Sequence, residues 1–248
     1  MAKQKSSSPR FIELDLLRGF AISIMILFHF IWDLDYFGII HLNKAMYNSN
    51  VIFQALFLVL VGITLAVKSN KLQEPSMKMH KQIMRHGLWI FSLGMAITAV
   101  TLLVMPERPI LFGILHCIGL SIVICTVFLR FKAYNIIFAT AIITAGFIIG
   151  QYHVSHPTIF HLMLGLHQTN VWKYTIDYFP LLPWFGVTLL GVGIGNILYK
   201  DNIRRFKMPD LSSYRPVPIV SWLGKHSLVI YLFHQPIIAG ALTIFILL

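Results

Sequence analysis

An apolar stretch of membrane-spanning length, RFIELDLLRGFAISIMILFHFIWD at residues 10–33, carries Asp15, Arg18, His29 and Asp33 within it or at its ends. A charged side chain at the centre of a spanning helix costs about 2.5–3.5 kcal/mol or more, so such groups are functional candidates by default. At about 100° per residue, helical geometry brings Arg18 and His29 to within about 20° of each other. Asp15 and Asp33 then lie about 60° from Arg18 on the same side. The four form a seam on one face that climbs about 27 Å, close to the thickness of the hydrocarbon core. A second reading puts Asp15 and Arg18 in the head-group zone and His29 in a hydrogen bond inside a bundle. Helical geometry alone leaves both readings open.

The rest of the chain repeats the apolar length. Stretches at 16–37, 51–67, 83–105, 110–130, 134–150, 180–199 and 226–247 are each long and apolar enough to span, the shortest being 134–150. With 57% hydrophobic and 12% charged residues, the fold class is all-α, a polytopic membrane bundle of about seven helices. The Ser-rich head, residues 1–9, reads as a flexible cytoplasmic tail, and 10–248 as one transmembrane domain. The first span is not a cleaved secretory signal, because its apolar part is too long and Asp33 and Asp35 stand where a small-residue cleavage site belongs.

Orientation follows from Lys and Arg. Placing the N-terminus in the cytoplasm leaves Lys44, Arg108 and Lys173 outside and the other seventeen of the twenty inside. An odd span count then puts the C-terminus outside a multi-pass cell-membrane protein. The net charge of +11 is mostly this inside bias, so it calls for anionic lipid head groups or a phosphate-rich cytoplasmic ligand and not for nucleic acid. Cys117 and Cys125 lie eight residues apart on one helix, about 12 Å, too far for a disulfide.

Outside loops at 38–50 and 151–179 are long and weakly charged, room for a substrate pocket or an unstructured lid. The basic inside loop at 200–225 holds Pro209, Pro216 and Pro218, which disfavour a continuous helix. No internal repeat is evident.

His29 and Asp33 stand one turn apart. A carboxylate at i+4 can hold one imidazole nitrogen and leave the other to take a proton, as a general base requires. His41, in the first outside loop, is a second candidate base, or a solvated loop histidine. His116, in FGILHCIG near the outer end of the fourth span, reads either as a site residue or as a satisfied core histidine. His234, in YLFHQP, precedes Pro236, whose missing N–H frees a helical carbonyl; such a break can line a cavity or merely kink the helix. His153, His156, His161 and His167 share a loop but fit no zinc spacing, so no metal is expected. Gly186, Gly191, Gly193 and Gly195 allow close helix contact, within the bundle or between two copies as a homodimer. No G-x-S-x-G elbow, Walker loop, H-E-x-x-H or dinucleotide fingerprint occurs, so any reaction falls to intramembrane polar residues.

The first helix resembles the opening of the heparan-α-glucosaminide N-acetyltransferase catalytic-domain family and, more distantly, the acyltransferase 3 family. FLVLVGITLA at 57–66, FGILHCIG at 112–119, DYFPLLPWFG at 177–186 and GKHSLVIYLFHQPI at 224–237 fit as well. The resemblance implies an integral-membrane acyltransferase that takes an acetyl group from cytoplasmic acetyl-CoA and passes it to an amine or hydroxyl, often of a sugar, on the far side. Arg18 and His29 match the Arg–His spacing of acyltransferase 3 proteins. In the heparan enzyme's pattern an Asn aligns with His29 and the working His lies in the following loop, where this chain has His41. His29 is favoured because the surroundings of His41 match poorly. On this reading the CoA phosphates lie among Arg18, Lys225 and Arg85, with Asp15, His116 and His234 completing the CoA-binding set. Base-catalysed direct transfer and an acetyl-imidazole intermediate both remain open. The competing reading is a proton-coupled transporter using Asp15, Arg18, His29 and Asp33 as a relay. A structural or regulatory membrane protein is a third.

Overall fold

The computed structural model describes residues 11–70, 77–200, 203–211 and 214–247, with side chains omitted at 44–50. The expected 1–9 tail lies outside the described residues, as do Lys3, Lys5, Arg10 and Lys71 of the charge pattern. The fold is helical: α1 Ile12–Tyr36, α2 Lys44–Asn70, α3 Met77–Val104, α4 Ile114–Phe128, α5 Asn135–Ile149, α6 Ile159–Leu164, α7 Leu181–Leu198, α8 Pro216–Lys225 and α9 Ser227–Leu247. A two-residue hairpin, β1 Tyr199–Lys200 with β2 Ile203–Arg204, follows α7. Among the described residues, six helical stretches are long and apolar enough to cross a membrane, the fourth running from Ile114 to Ile149.

That fourth stretch is two arms. Lys132 takes a positive φ of 49° between α4 and α5, and the Asn135 amide ties the bend by donating to the Phe128 and Lys132 carbonyls. The Phe128 and Phe138 rings sit 5.7 Å apart, whereas ten residues of straight helix rise about 15 Å.

The chain divides into two units, one of residues up to 57 and from 207 onward, the other of residues 58–206. In the larger unit the glycines make backbone-close crossings that fix helix directions. Gly191 faces Val59 and Gly195 faces Ala66, so α7 runs parallel to α2. Gly186 faces Ile143 and Gly193 faces Ile136, so α7 runs antiparallel to α5, while Gly119 faces Phe91 and Gly94 faces His116, setting α3 antiparallel to α4. The glycine stripe of α7 is therefore filled within the unit.

Two of the loops carry structure of their own. Residues 151–179 are ordered around a small core of Leu162, Val171 and Tyr178, with the Tyr178 hydroxyl donating to the Leu162 carbonyl at 2.7 Å. Burial raises the Tyr178 phenol above its ordinary range, so it stays a donor. In the 200–225 loop no continuous helix runs through the described residues, as expected, and Pro216 and Pro218 sit in the first turn of α8, where the N–H groups have no intrahelical partner to lose.

In the smaller unit, α8 lies antiparallel across the start of α1. A Cβ at Gly224 would collide with the Asp15 carbonyl, and one at Gly19 with the Val220 carbonyl. Replacing Gly224 by Val should therefore lower unfolding stability by about 1–3 kcal/mol. Gly240→Ala, with nothing within 4 Å of the new Cβ, should leave it unchanged or slightly raised. Thermal melts in detergent would report both.

Candidate functional site

The Gly224–Asp15 crossing sets where α9 begins, and α9 then rises beside α1. It carries His234 to His29, with ring centroids 4.7 Å apart and planes at 84°. Both rings are anchored by their own helices: His29 Nδ1–H donates to the Met25 carbonyl at 2.8 Å, and His234 Nδ1–H to the Tyr231 carbonyl at 2.6 Å. A carbonyl can only accept, so in each neutral ring Nδ1 bears the hydrogen and Nε2 keeps a lone pair. His234 Nε2 is buried with no hydrogen-bond partner among the described residues.

One turn further along α1, Asp33 is 2% exposed. Its Oδ1 accepts from Gln235 Nε2 at 2.8 Å, while Asp33 Oδ2 and Gln235 Oε1 are buried without partners. The expected His29–Asp33 hydrogen bond is therefore replaced by two others. Helical side chains lean toward the N-terminus, so the His29 ring falls back on the Met25 carbonyl, away from residue 33. Gln235 joins the candidate cluster and the charge-based reading passed it over; an amide inside an apolar span, between His234 and Pro236, was the available signal.

The α1 seam thus resolves into two polar clusters. At its start Arg18 Nη1 donates to Asp15 Oδ1 at 3.3 Å, with Asp15 and Glu13 buried. Lys225, exposed, follows Gly224 and so belongs to this same end. Between the clusters, the face that meets neighbours carries Gly19, Ala21 and Ile22. His41 is exposed in the loop after α1, where Asp35 Oδ1 holds the Leu42 N–H at 2.9 Å.

Arg85 and His116 belong to the larger unit. Arg85 is exposed on α3. His116 is 1% exposed and uses both nitrogens: Nδ1 accepts the Gly113 N–H at 3.2 Å, and Nε2–H donates to Thr98 Oγ1 at 3.3 Å. Thr98 passes the chain on to the Ile110 carbonyl. Asp177 Oδ2 accepts the Ile114 N–H at 3.1 Å, fixing the start of α4 beside it. His116 is a structural linker in this arrangement. Among the described residues, no group of three or more His, Cys, Asp or Glu is placed to hold a metal ion.

These satisfaction patterns predict opposite responses. His116→Leu strands the Gly113 N–H and takes the donor from Thr98 Oγ1, and should cost about 1–3 kcal/mol of stability. His234→Leu removes an unpartnered buried nitrogen and should leave the melting temperature unchanged or raised. Paired thermal melts would check both.

Compared with known proteins, residues 10–236 match the family described as heparan-alpha-glucosaminide N-acetyltransferase, catalytic. No curated protein and no solved structure matches the chain.

Proposed function

The chain belongs to the heparan-alpha-glucosaminide N-acetyltransferase catalytic family, and from that premise we propose that this membrane protein carries an acetyl group from cytoplasmic acetyl-CoA to an amine or hydroxyl, such as that of a sugar, on the outer side. The observation that carries the reading is the His29–His234 pair, two imidazoles with Nδ1–H locked and Nε2 lone pairs, set beside Asp33 and Gln235 inside apolar helices.

Seven passes with a cytoplasmic N-terminus suit the helix directions. α9 runs parallel to α1, which requires an odd number of crossings, and α2, α3, α4, α5 and α7 alternate in direction. The Lys and Arg distribution gives the sign. Arg18, Asp15 and Lys225 then lie at the cytoplasmic end of the smaller unit, where basic groups suit CoA phosphates. His29 and Asp33 fall in the outer half, within reach of an acceptor from outside.

The chemistry is acyl transfer with His29 as general base. His29 Nε2 takes a proton from the acceptor, the acceptor's nitrogen or oxygen attacks the thioester carbonyl, and the C–S bond breaks. The imidazolium returns a proton to the departing thiolate. Asp33, buried one turn further along α1, would in its ionised form stabilise the imidazolium as it forms. Gln235 holds that carboxylate in place.

Two measurements test this. In reconstituted protein, thioester loss from acetyl-CoA with a panel of amino-sugar and lipid-linked acceptors should fall by about 10²–10⁴-fold in His29→Ala and stay near wild type in His41→Ala. Absence of CoA binding, or loss of turnover in His41→Ala alone, would overturn the assignment. For orientation, a membrane-impermeant maleimide should label His156→Cys on intact cells, and Lys81→Cys after permeabilisation. The native Cys117 and Cys125 are fully buried, so they should contribute no background.

A further inference from the structure

We propose that His234 is a second proton acceptor in the reaction, taking the proton that an ammonium group must lose before its nitrogen can attack. The inference rests on the acyl-transfer reading and adds a residue role to it.

Three buried atoms without partners belong to residues that contact one another where α9 passes α1, through the His29–His234 rings and the Gln235–Asp33 hydrogen bond: His234 Nε2, Asp33 Oδ2 and Gln235 Oε1. As an imidazole lone pair, a carboxylate oxygen and an amide oxygen, all three accept hydrogen bonds. The free Nε2 of His29 is a fourth acceptor beside them. Burying acceptors without donors costs about 1–3 kcal/mol each. That cost is offset when a ligand brings several hydrogens to one point. An ammonium group offers three hydrogens from one atom, whereas a hydroxyl offers one.

Proton stoichiometry then assigns the second imidazole. Acylating a hydroxyl moves one proton from oxygen to the departing sulfur, so one base returned to its starting state suffices. Acylating an ammonium group releases two protons. The first must leave before the nitrogen has a lone pair, and the second leaves as the C–N bond forms and the C–S bond breaks. One of them ends on the CoA sulfur and the other goes to water. His234 Nε2 takes the first proton and His29 Nε2 the second, which His29 hands to the thiolate. His234 discharges its proton to solvent between turnovers. The titratable groups facing His234 are His29 on α1, Asp33 through the neighbouring Gln235, and Tyr231 one turn back on α9 itself.

The test uses full-length protein in lipid nanodiscs, acetyl-CoA, and two acceptors that differ in protonation: an aminoethyl glycoside, cationic at pH 7, and an aminophenyl glycoside, neutral at pH 7. His234→Gln should lose about 10²–10⁴-fold in kcat/KM with the cationic amine, and less than about tenfold with the neutral one. The deficit on the cationic amine should shrink as pH rises and the free amine accumulates. His234→Leu, chosen to preserve the fold, should give the same split, and His29→Gln should fail on both acceptors. CoA binding retained in each variant reports an intact fold. Equal losses on the two acceptors, or no loss on either, overturn the role of His234. Wild-type turnover of hydroxyl acceptors alone overturns it too while leaving acyl transfer standing. Wild-type turnover of no acceptor overturns the acyl-transfer reading itself.

Discussion

The close crossing of α8 on α1 positions everything that follows in the smaller unit. Gly19 and Gly224 bring two helix backbones together where a single methyl on either would force them apart. With α8 held antiparallel at the Asp15 level, α9 starts at that level two residues later and climbs the same face of α1. Ten residues above the crossing it delivers His234 to His29, and Gln235 to Asp33. Most of α9 is otherwise exposed to its surroundings. Its docking therefore depends on few contacts, and the polar ones sit at the site.

Much of the fold was legible because apolar length is a strong signal. Each expected stretch falls on a helix, with boundaries within about seven residues, and 110–130 and 134–150 share one of the six helical stretches long and apolar enough to cross among the described residues, since a bilayer leaves the backbone few alternatives. The bend at Lys132 was readable as the gap between 110–130 and 134–150, although the apolar run continues through it. The order in 151–179 was not readable. It rests on Leu162, Val171 and Tyr178 meeting across intervening turns, and that contact has no periodicity to announce it. Pro216 and Pro218 interrupt a continuous helix over 200–225 as expected but also open α8, because proline opposes a helix interior and favours its first turn.

The candidate site was half legible. His29, Asp33 and His234 stood out as titratable groups in apolar spans, and the structure joins them in one cluster with Gln235. Their partners did not follow from spacing. An i+4 carboxylate lies on the correct face for His29, but side-chain lean decides which direction along the axis the ring takes, and it chose the Met25 carbonyl. His116 shows the converse. Its position allowed a site residue or a satisfied core histidine, and both nitrogens are spent holding Gly113 and Thr98, contacts between α3, α4 and the turn before α4 that a single-helix reading does not contain.

The contrast between these histidines separates scaffold from site on physical grounds. A buried polar group that serves the fold is satisfied by the fold, because leaving it bare costs stability. His116 meets that condition through two opposite hydrogen bonds. His234 meets half of it: the Tyr231 carbonyl fixes its tautomer and orientation, and the remaining nitrogen is kept bare. The same economy holds at Asp33, where Gln235 steadies one oxygen and leaves the other open. In each case the anchoring bond limits rotation of the side chain, so the open atom points in a set direction before any ligand arrives. Preorganisation of this kind is what a proton-transfer site needs, since a base that must first reorient loses the advantage of being held near its substrate.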